Sequence, residues 1–232
     1  MNRHSPKRQQ LWRACAALLL GAALAPSAQA SFVGSRAALA GSDSIKWGQL
    51  GADEATVASP AVVSSVSGAA ATVSNNGGDM TRFDEGGSAF AGNFAIDDQL
   101  LTNVFVAGAI TIDFLNPVAK VGAQLTSIDW GSFVGIIEVF DTANLLLESY
   151  EAEGLSSGKK DNSALFLGVS RASADIDHVS FSVRGTAQGN LDFALNELDF
   201  TKDGNTTPVP EPASGALVGA ALFALYRSRQ QR

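Results

Sequence analysis

Cysteine and histidine are almost absent from this sequence of 232 residues, which contains one cysteine, Cys15, and two histidines, His4 and His178. Cys15 and His4 lie within the first 30 residues, which we expect to be removed, as argued below. The remaining chain can form no disulfide and cannot supply the ligand cluster of a zinc site. A cysteine nucleophile is excluded as well, and a Ser-His-Asp triad would have to use His178. That residue is expected to face solvent from a strand, so we predict no catalytic role for it.

Basic residues are also scarce in the body of the chain. Residues 31–210 contain 9 basic and 22 acidic residues, a formal charge of −13. Such a domain repels phosphate backbones and anionic lipid headgroups, and no local basic stripe compensates. We therefore expect no nucleic-acid partner.

A helical period is missing as well, and strict alternation of apolar and polar residues takes its place. Two segments, 110–114 and 179–183, alternate most clearly. The alternation predicts half-buried strands, with Ile110, Ile112, Phe114, Val179, Phe181 and Val183 inside and Thr111, Asp113, Ser180 and Ser182 on outer faces.

Further short apolar segments, separated by Gly, Ser, Asn and Asp, bring the expected number of strands to about eight. Residues 141–144 form a predicted hairpin turn. Many short strands without an amphipathic helix predict an all-β fold for residues 31–203, an antiparallel two-sheet β-sandwich that is jelly-roll-like, with a β-barrel as the alternative. The further strands are predicted at Ala70–Ser74, Val121–Ile128, Ile136–Phe140, Leu145–Tyr150, Ala164–Val169 and Phe193–Phe200.

Residues 74–94, "SNNGGDMTRFDEGGSAFAGNF", have the composition of a long surface loop. Loops on a rigid sandwich commonly carry binding sites. Side-chain oxygens in this segment and in the predicted strand 193–200 could bind calcium. Calcium is the one cofactor that we consider. The candidate ligands are Asp79, Asp84, Glu85, Asn196 and Glu197.

The acidic and aromatic residues suggest two further kinds of site, a hydrolytic site and a sugar-binding site. Paired carboxylates could hydrolyse glycosides, with Asp84–Glu85, Asp97–Asp98 and Glu151/Glu153 as the obvious pairs. None of these pairs is flanked by an aromatic-rich segment, so we favour a protein without catalytic activity. Large amphipathic rings are the usual sugar contacts, and the candidates are Trp47, Trp130 and Tyr150.

The N-terminus has the order of a secretory signal peptide, and we expect it to form a helix. A basic start (Arg3, Lys7, Arg8 and Arg13) precedes the apolar run 14–25. The sequence Ala28-Gln29-Ala30 then supplies the small residues that signal peptidase requires. We predict export and cleavage after Ala30.

The C-terminus has three parts, which are a proline-rich linker at 204–212, an apolar run at 213–226 and a basic tail at 227–232. Fourteen helical residues span about 21 Å, against a hydrocarbon core of about 30 Å, so the predicted transmembrane helix is a marginal anchor. The tail arginines are expected to remain cytoplasmic as a stop signal. They are Arg227, Arg229 and Arg232.

This C-terminus resembles the PEP-CTERM sorting signal of exopolysaccharide-producing Gram-negative bacteria, with Pro210, Glu211 and Pro212 as the motif. The resemblance implies processing by an exosortase after a transient stay in the inner membrane. Segments between residues 92 and 200 are similar to the sandwich bodies of such proteins. What the resemblance implies is a cell-surface or extracellular protein associated with exopolysaccharide or biofilm. An ordinary single-span anchor is the alternative for the tail.

Overall fold

The computed structural model describes residues 30–87, 89–189 and 191–203. Within these residues the chain forms fifteen strands, one short helix, α1, at Arg36–Leu39, and a 3₁₀ turn at Trp47–Leu50. The strands are β1 Ser31–Val33, β2 Asp43–Ile45, β3 Ala55–Val57, β4 Ala61–Ser64, β5 Ala70–Asn75, β6 Met80–Asp84, β7 Gln99–Thr102, β8 Ile110–Val118, β9 Lys120–Ser127, β10 Gly131–Phe140, β11 Leu146–Ser156, β12 Leu165–Ser170, β13 Ile176–Arg184, β14 Phe193–Leu195 and β15 Leu198–Thr201.

The strands form two antiparallel sheets that pack together as the predicted sandwich. A nine-stranded sheet has the order β1-β12-β9-β14-β7-β6-β3, and β15 joins it beside β9 and carries β2. A six-stranded sheet has the order β11-β10-β13-β8-β5-β4. The chain crosses repeatedly between the sheets from β8 to β14, which gives the jelly-roll-like course.

The predicted alternation is confirmed in β8 and β13. All six apolar side chains belong to the main core, with exposures between 0% and 7%. Asp113 is exposed, and the other three polar residues are half-buried on the outer face. The hairpin between β10 and β11 is also present, and Asp141 Oδ1 accepts the N–H groups of Ala143 and Leu145 at 2.9 Å.

Two predicted segments differ from the structure. Residues 74–94 are not one surface loop, because β6 pairs with both β3 and β7, and Phe90, Asn93 and Phe94 are buried. Residues 193–200 are not one strand either. β14 pairs with β7 and β9, whereas β15 pairs with β2 and β9, and the break lies at Asn196 and Glu197.

Both ends of the described chain leave the sandwich at the same end. Ser31 pairs with Ser170, Ser170 pairs with Lys120, and Lys120 pairs with Thr201, so one row crosses β1, β12, β9 and β15. β9 runs from Lys120 to Ser127, and the loop that follows Ser127 lies at the opposite end.

The predicted signal helix, Ala28, the sorting motif, the apolar run and the basic tail lie outside the described residues. Within the part of the chain that the structure describes, no helix has the length and apolarity needed to span a membrane. Export and anchoring stay predictions from the sequence.

Candidate functional site

Two features of the surface are candidate sites, and the first is the end of the sandwich opposite the chain ends. We call it the aromatic end and define it by loops 103–109 and 128–130 with Leu191 and Asp192. Phe105 is 94% exposed and Trp130 is 63% exposed, and Leu191 is also exposed. Exposing large apolar side chains to water at loop tips is unfavourable, and such exposed groups often mark interaction sites. The contacts that hold these loops are therefore relevant to function.

Asn103 and Asp192 hold the loop that carries Phe105. The Asn103 side chain is fully buried, donates to Gly108 O at 2.7 Å and to Leu191 O at 3.3 Å, and accepts from Phe193 N at 2.7 Å. Phe105 has φ 69°, a left-handed conformation that a bulky residue rarely adopts. Its N–H donates to Asp192 Oδ2 at 2.9 Å. A buried polar network therefore holds a strained backbone that displays an aromatic ring.

The backbone beside Trp130 is also constrained. The preceding residue, Asp129, is only 8% exposed, and its N–H donates to Ser127 Oγ at 3.2 Å. The following residue, Gly131, has φ 125°. One edge of the indole packs against Gly158, where an added Cβ would lie 2.9 Å from Trp130 Cζ2. One edge of the indole is thus packed, whereas most of the side chain is exposed.

The other two predicted sugar contacts are placed differently. Trp47 is wrongly predicted as a surface ring, because it is fully buried in the core and its Nε1–H donates to Asn196 O at 2.9 Å. Tyr150 is half-buried on β11 and packs beside Phe32, with ring centroids 5.6 Å apart. Of the three candidates, Trp130 is the one that offers a largely exposed ring face.

The second feature is a polar cavity of about 330 Å³ beside α1, which we call the Arg36 pocket. Its walls come from the start of α1, the loop before β7, β9, the segment leading into β12, and the break between β14 and β15. The lining residues are Gly34, Ser35, Arg36, Ala95, Asp98, Gln124, Asn162, Ala164, Phe166 and Asn196.

Side chains from four distant segments form one hydrogen-bond network in this pocket. Asn196 Nδ2 donates to Asp98 Oδ2 at 2.8 Å and to Gln124 Oε1 at 3.4 Å. Gln124 Nε2 donates to Asn162 Oδ1 at 3.0 Å, and Ala95 N donates to Asp98 Oδ2 at 3.0 Å. The network fixes a carboxylate and three side-chain amides around the cavity.

Arg36 is the cation of the pocket, and carboxylates surround it. Its Nε lies 2.8 Å from Asp199 Oδ2, an ion pair whose atoms are not aligned as a hydrogen bond. Burial raises the pKa of Asp199 to about 6 although Arg36 opposes the shift. Burial likewise raises the pKa of Asp98. Glu197 lies at 4.0 Å from Arg36 Nη1, so acidic groups outnumber the cation.

A pair of glycines positions α1 and therefore Arg36. Gly122 in β9 lies directly opposite Gly168 in β12, and Phe166 and Leu39 lie against the bare backbone that the pair leaves. Leu39 is fully buried in a small cluster with Val33 and Phe166. The Ser35 side chain caps the helix by accepting from Ala38 N at 3.2 Å.

The structure does not gather the five predicted calcium ligands into one site. Asp79 Oδ1 accepts from Ser59 N, Asp84 pairs with Arg82, and both Glu85 carboxylate oxygens accept from Gly92 N. Asn196 and Glu197 instead belong to the surroundings of Arg36. Among the described residues no group of three or more His, Cys, Asp or Glu side chains is arranged to hold a metal ion.

The predicted carboxylate pairs are also separated by their surroundings. Asp97 is exposed at φ 70°, whereas the adjacent Asp98 lies in the Arg36 pocket. Glu151 forms an ion pair with Arg184, and Glu153 is exposed on β11.

His178 lies on the predicted outer face of β13 but is not solvent-facing. The Phe140 ring stacks on the imidazole with a centroid distance of 4.6 Å and an interplanar angle of 8°, so 13% of the His178 side chain is exposed.

Sequence reasoning missed Phe105, Arg36, Gln124 and Asn162. The apolar run around Phe105 resembles part of a strand, and the three pocket residues are far apart in the sequence. Asn103 and Gly108, five positions apart, are residue types that favour turns, and they could have indicated a loop between them.

No protein-family model matches the chain, and no curated protein matches it. Among solved structures the chain is similar to the crystal structure of a DUF4465 family protein from Bacteroides caccae. The TM-score is 0.40 and the identity 8%, over 74% of this chain and 100% of that chain. Similarity at this level transfers no function.

Proposed function

We propose that this is an exported, non-catalytic surface or matrix protein that binds extracellular polysaccharide, after signal peptidase and exosortase have processed its two ends. The observation that carries the binding function is the display of Phe105 and Trp130 at the aromatic end. Exposed aromatic faces presented by a constrained backbone are suited to stacking against sugar rings.

The positions of the chain ends support this proposal. The predicted signal peptide and sorting tail both attach at the end of the sandwich where Ser31 and Thr201 lie in one row. A domain tethered by that end to the inner membrane directs Phe105 and Trp130 away from the lipid. The same orientation serves a protein that is released by cleavage near Pro210-Glu211-Pro212 and then enters a polymer matrix.

The surroundings of the acidic residues favour binding over hydrolysis, the alternative function. Glycoside hydrolysis needs two carboxyl groups that face one another across about 5 to 10 Å. Asp84 and Glu151 are paired with arginines, and Asp199 is held by Arg36. Asp98 already accepts two hydrogen bonds. These contacts are typical of carboxylates that stabilise the fold or orient a ligand.

The test is retention of mature protein on the exopolysaccharide of the producing organism. We expect wild-type protein to bind and Phe105→Ala and Trp130→Ala to weaken retention, with the double variant losing most of it. Phe32→Ala is the matched control, since Phe32 is 42% exposed at the opposite end. Unchanged retention of the double variant would contradict the binding proposal. Release of reducing ends from the polymer by wild-type protein would contradict its non-catalytic part.

A further inference from the structure

The Arg36 pocket is separate from the aromatic end, and we infer that it binds one uncharged sugar residue of the polysaccharide. This inference rests on the proposed function and names the part of the polymer that enters the domain. In this arrangement Phe105 and Trp130 contact the chain broadly, whereas the pocket selects a terminal or branching residue.

The size and lining of the pocket fit a single ring. Its volume of about 330 Å³ is at the lower end of the range for small-molecule sites, which is about 300 to 1,000 Å³. Ala95, Ala164 and Phe166 provide apolar surface in its lining. A sugar ring has an apolar face of C–H groups and a rim of hydroxyls, which suits a lining of both apolar and polar groups.

The polar groups of the lining can bind hydroxyls as donors and as acceptors. Both hydrogen bonds that Asp98 accepts go to Oδ2, which leaves Oδ1 for a ligand hydroxyl. Asn162 is exposed and uses its Oδ1 atom to accept from Gln124, so its amide Nδ2 is the group left to donate. Arg36 is 41% exposed and adds charged donors. Adjacent donors and acceptors are what vicinal hydroxyls require.

The charges in and around the pocket select against acidic sugars. Arg36 is the one basic residue among the residues that line the pocket, and Asp98, Glu197 and Asp199 all interact with it. Lys46 also interacts with Asp199, so three acidic residues lie around two basic ones. A uronate carboxylate or a phosphate would enter a region of excess negative charge. The contacts available there would not compensate for the hydration that the anion loses. An uncharged hexose or N-acetylhexosamine avoids this repulsion.

The experiment is a titration of mature protein, followed by amide chemical shifts, with the methyl glycosides of glucose, galactose, mannose and N-acetylglucosamine. Methyl glucuronate is the charged comparator. We expect at least one neutral glycoside to shift the amides of Ala95, Asn162 and Asn196 in a saturable way, and methyl glucuronate to leave them in place.

The decisive variant is Asn162→Gly, with Asn144→Gly as its control. Both asparagines have φ 59° and both are exposed, so glycine fits either backbone and removes only the side chain. Asn144 lies in the hairpin turn after β10. We expect Asn162→Gly to weaken glycoside affinity about three- to tenfold, as for loss of one hydrogen bond, and Asn144→Gly to leave it unchanged.

The inference fails if no neutral glycoside shifts the pocket amides, or if Asn162→Gly and Asn144→Gly bind equally well. Its failure is separable from failure of the proposed function. Polymer retention that requires Phe105 and Trp130, without any glycoside effect at the pocket, would overturn the inference and leave the proposed function in place. If the protein binds glycosides at the pocket but is not retained on the polysaccharide, the proposed function is contradicted instead.

Discussion

Phe181 is the clearest test of the predicted core at the scale of a single residue. It lies in the middle of β13, is fully buried, and belongs to the main cluster between the sheets. Phe181→Ala removes most of a large side chain and leaves a cavity, so we expect the free energy of unfolding to fall by about 3 to 5 kcal/mol. Urea unfolding followed by the fluorescence of the buried Trp47 measures this loss.

Ser180→Ala is the control for Phe181→Ala, because Ser180 is the next residue and lies on the outer face. We expect a change within about 0.5 kcal/mol for this variant. Equal effects of the two variants would show that the side of β13 facing the core has been misassigned.

Asp199 makes the free energy of unfolding fall as the pH rises, whereas a carboxylate with a lowered pKa has the opposite effect. Its pKa is raised to about 6 by burial, so folding favours its protonated form. The stabilisation from protonation is complete below the unfolded pKa of about 4 and is lost as the pH rises through about 6. At about 1.4 kcal/mol per pKa unit, the loss between pH 4 and pH 7 is at most about 3 kcal/mol.

We expect Asp199→Asn to flatten this decline in stability between pH 4 and pH 7. Urea midpoints at several pH values measure it. Asp203→Asn, which changes an exposed aspartate two residues beyond β15, serves as the control and should keep the wild-type slope. An unchanged slope in Asp199→Asn would assign the pH dependence to another group.

At the scale of elements, the contact between α1 and the pair Gly122 and Gly168 decides where Arg36 lies. A Cβ at Gly122 would lie 2.8 Å from the Phe166 ring and 2.9 Å from two backbone atoms of β12. Backbone cannot yield as a flexible side chain can, so we expect Gly122→Ala to lower stability by about 1 to 3 kcal/mol. We also expect weaker glycoside binding, because β12 and α1 must shift.

Gly34→Ala is the stability control for Gly122→Ala, since its added Cβ would meet only the Phe32 ring at 3.4 Å or more. Thermal unfolding compares the two variants. The glycoside titration compares Gly122→Ala with wild-type protein, because Gly34 itself lines the Arg36 pocket. Full glycoside affinity in a folded Gly122→Ala variant would show that α1 does not depend on the glycine pair.

The strands that could be predicted from the sequence are those with one apolar and one polar face. β8 and β13 have this pattern, and their neighbours on both sides are also strands. β6 was missed because Arg82 is 3% exposed and pairs with Asp84, so a charged residue occupies a buried position. The break between β14 and β15 was missed because Asn196 leaves the strand to join contacts with Asp98 and Gln124, which are distant in the sequence.

The same physical reason limits what the sequence revealed about the sites. A buried tryptophan and an exposed tryptophan have similar local sequences, and the Trp47 hydrogen bond to Asn196 spans 149 residues. Phe105 is turned outward by Asp192, which lies 87 residues further along the chain. Local periodicity carries no information about such pairs, and a glycine follows both tryptophans directly.

At the scale of the whole molecule, the two ends of the sandwich have different roles in the proposed function. One end carries the connections to the predicted signal peptide and sorting tail, and the other displays Phe105 and Trp130. The charge of −13 over residues 31–210 keeps the domain away from anionic membrane surfaces. A short apolar run of fourteen residues is consistent with a temporary attachment, which a cleavage at Pro210-Glu211-Pro212 would end.

The last prediction concerns this cleavage. We expect wild-type protein outside the cell to end near residues 210–212 and to lack residues 213–232, as mass spectrometry of the extracellular protein would show. Glu211→Ala leaves the hydrophobicity of the apolar run unchanged but removes the charge between two prolines, which we expect to keep the segment extended for a membrane enzyme. Full-length precursor should therefore accumulate in the inner membrane fraction. Asp203→Ala, which removes an acidic side chain on the domain side of the linker, is the control and should be processed normally. Extracellular wild-type protein that still ends at Arg232 would contradict the predicted processing.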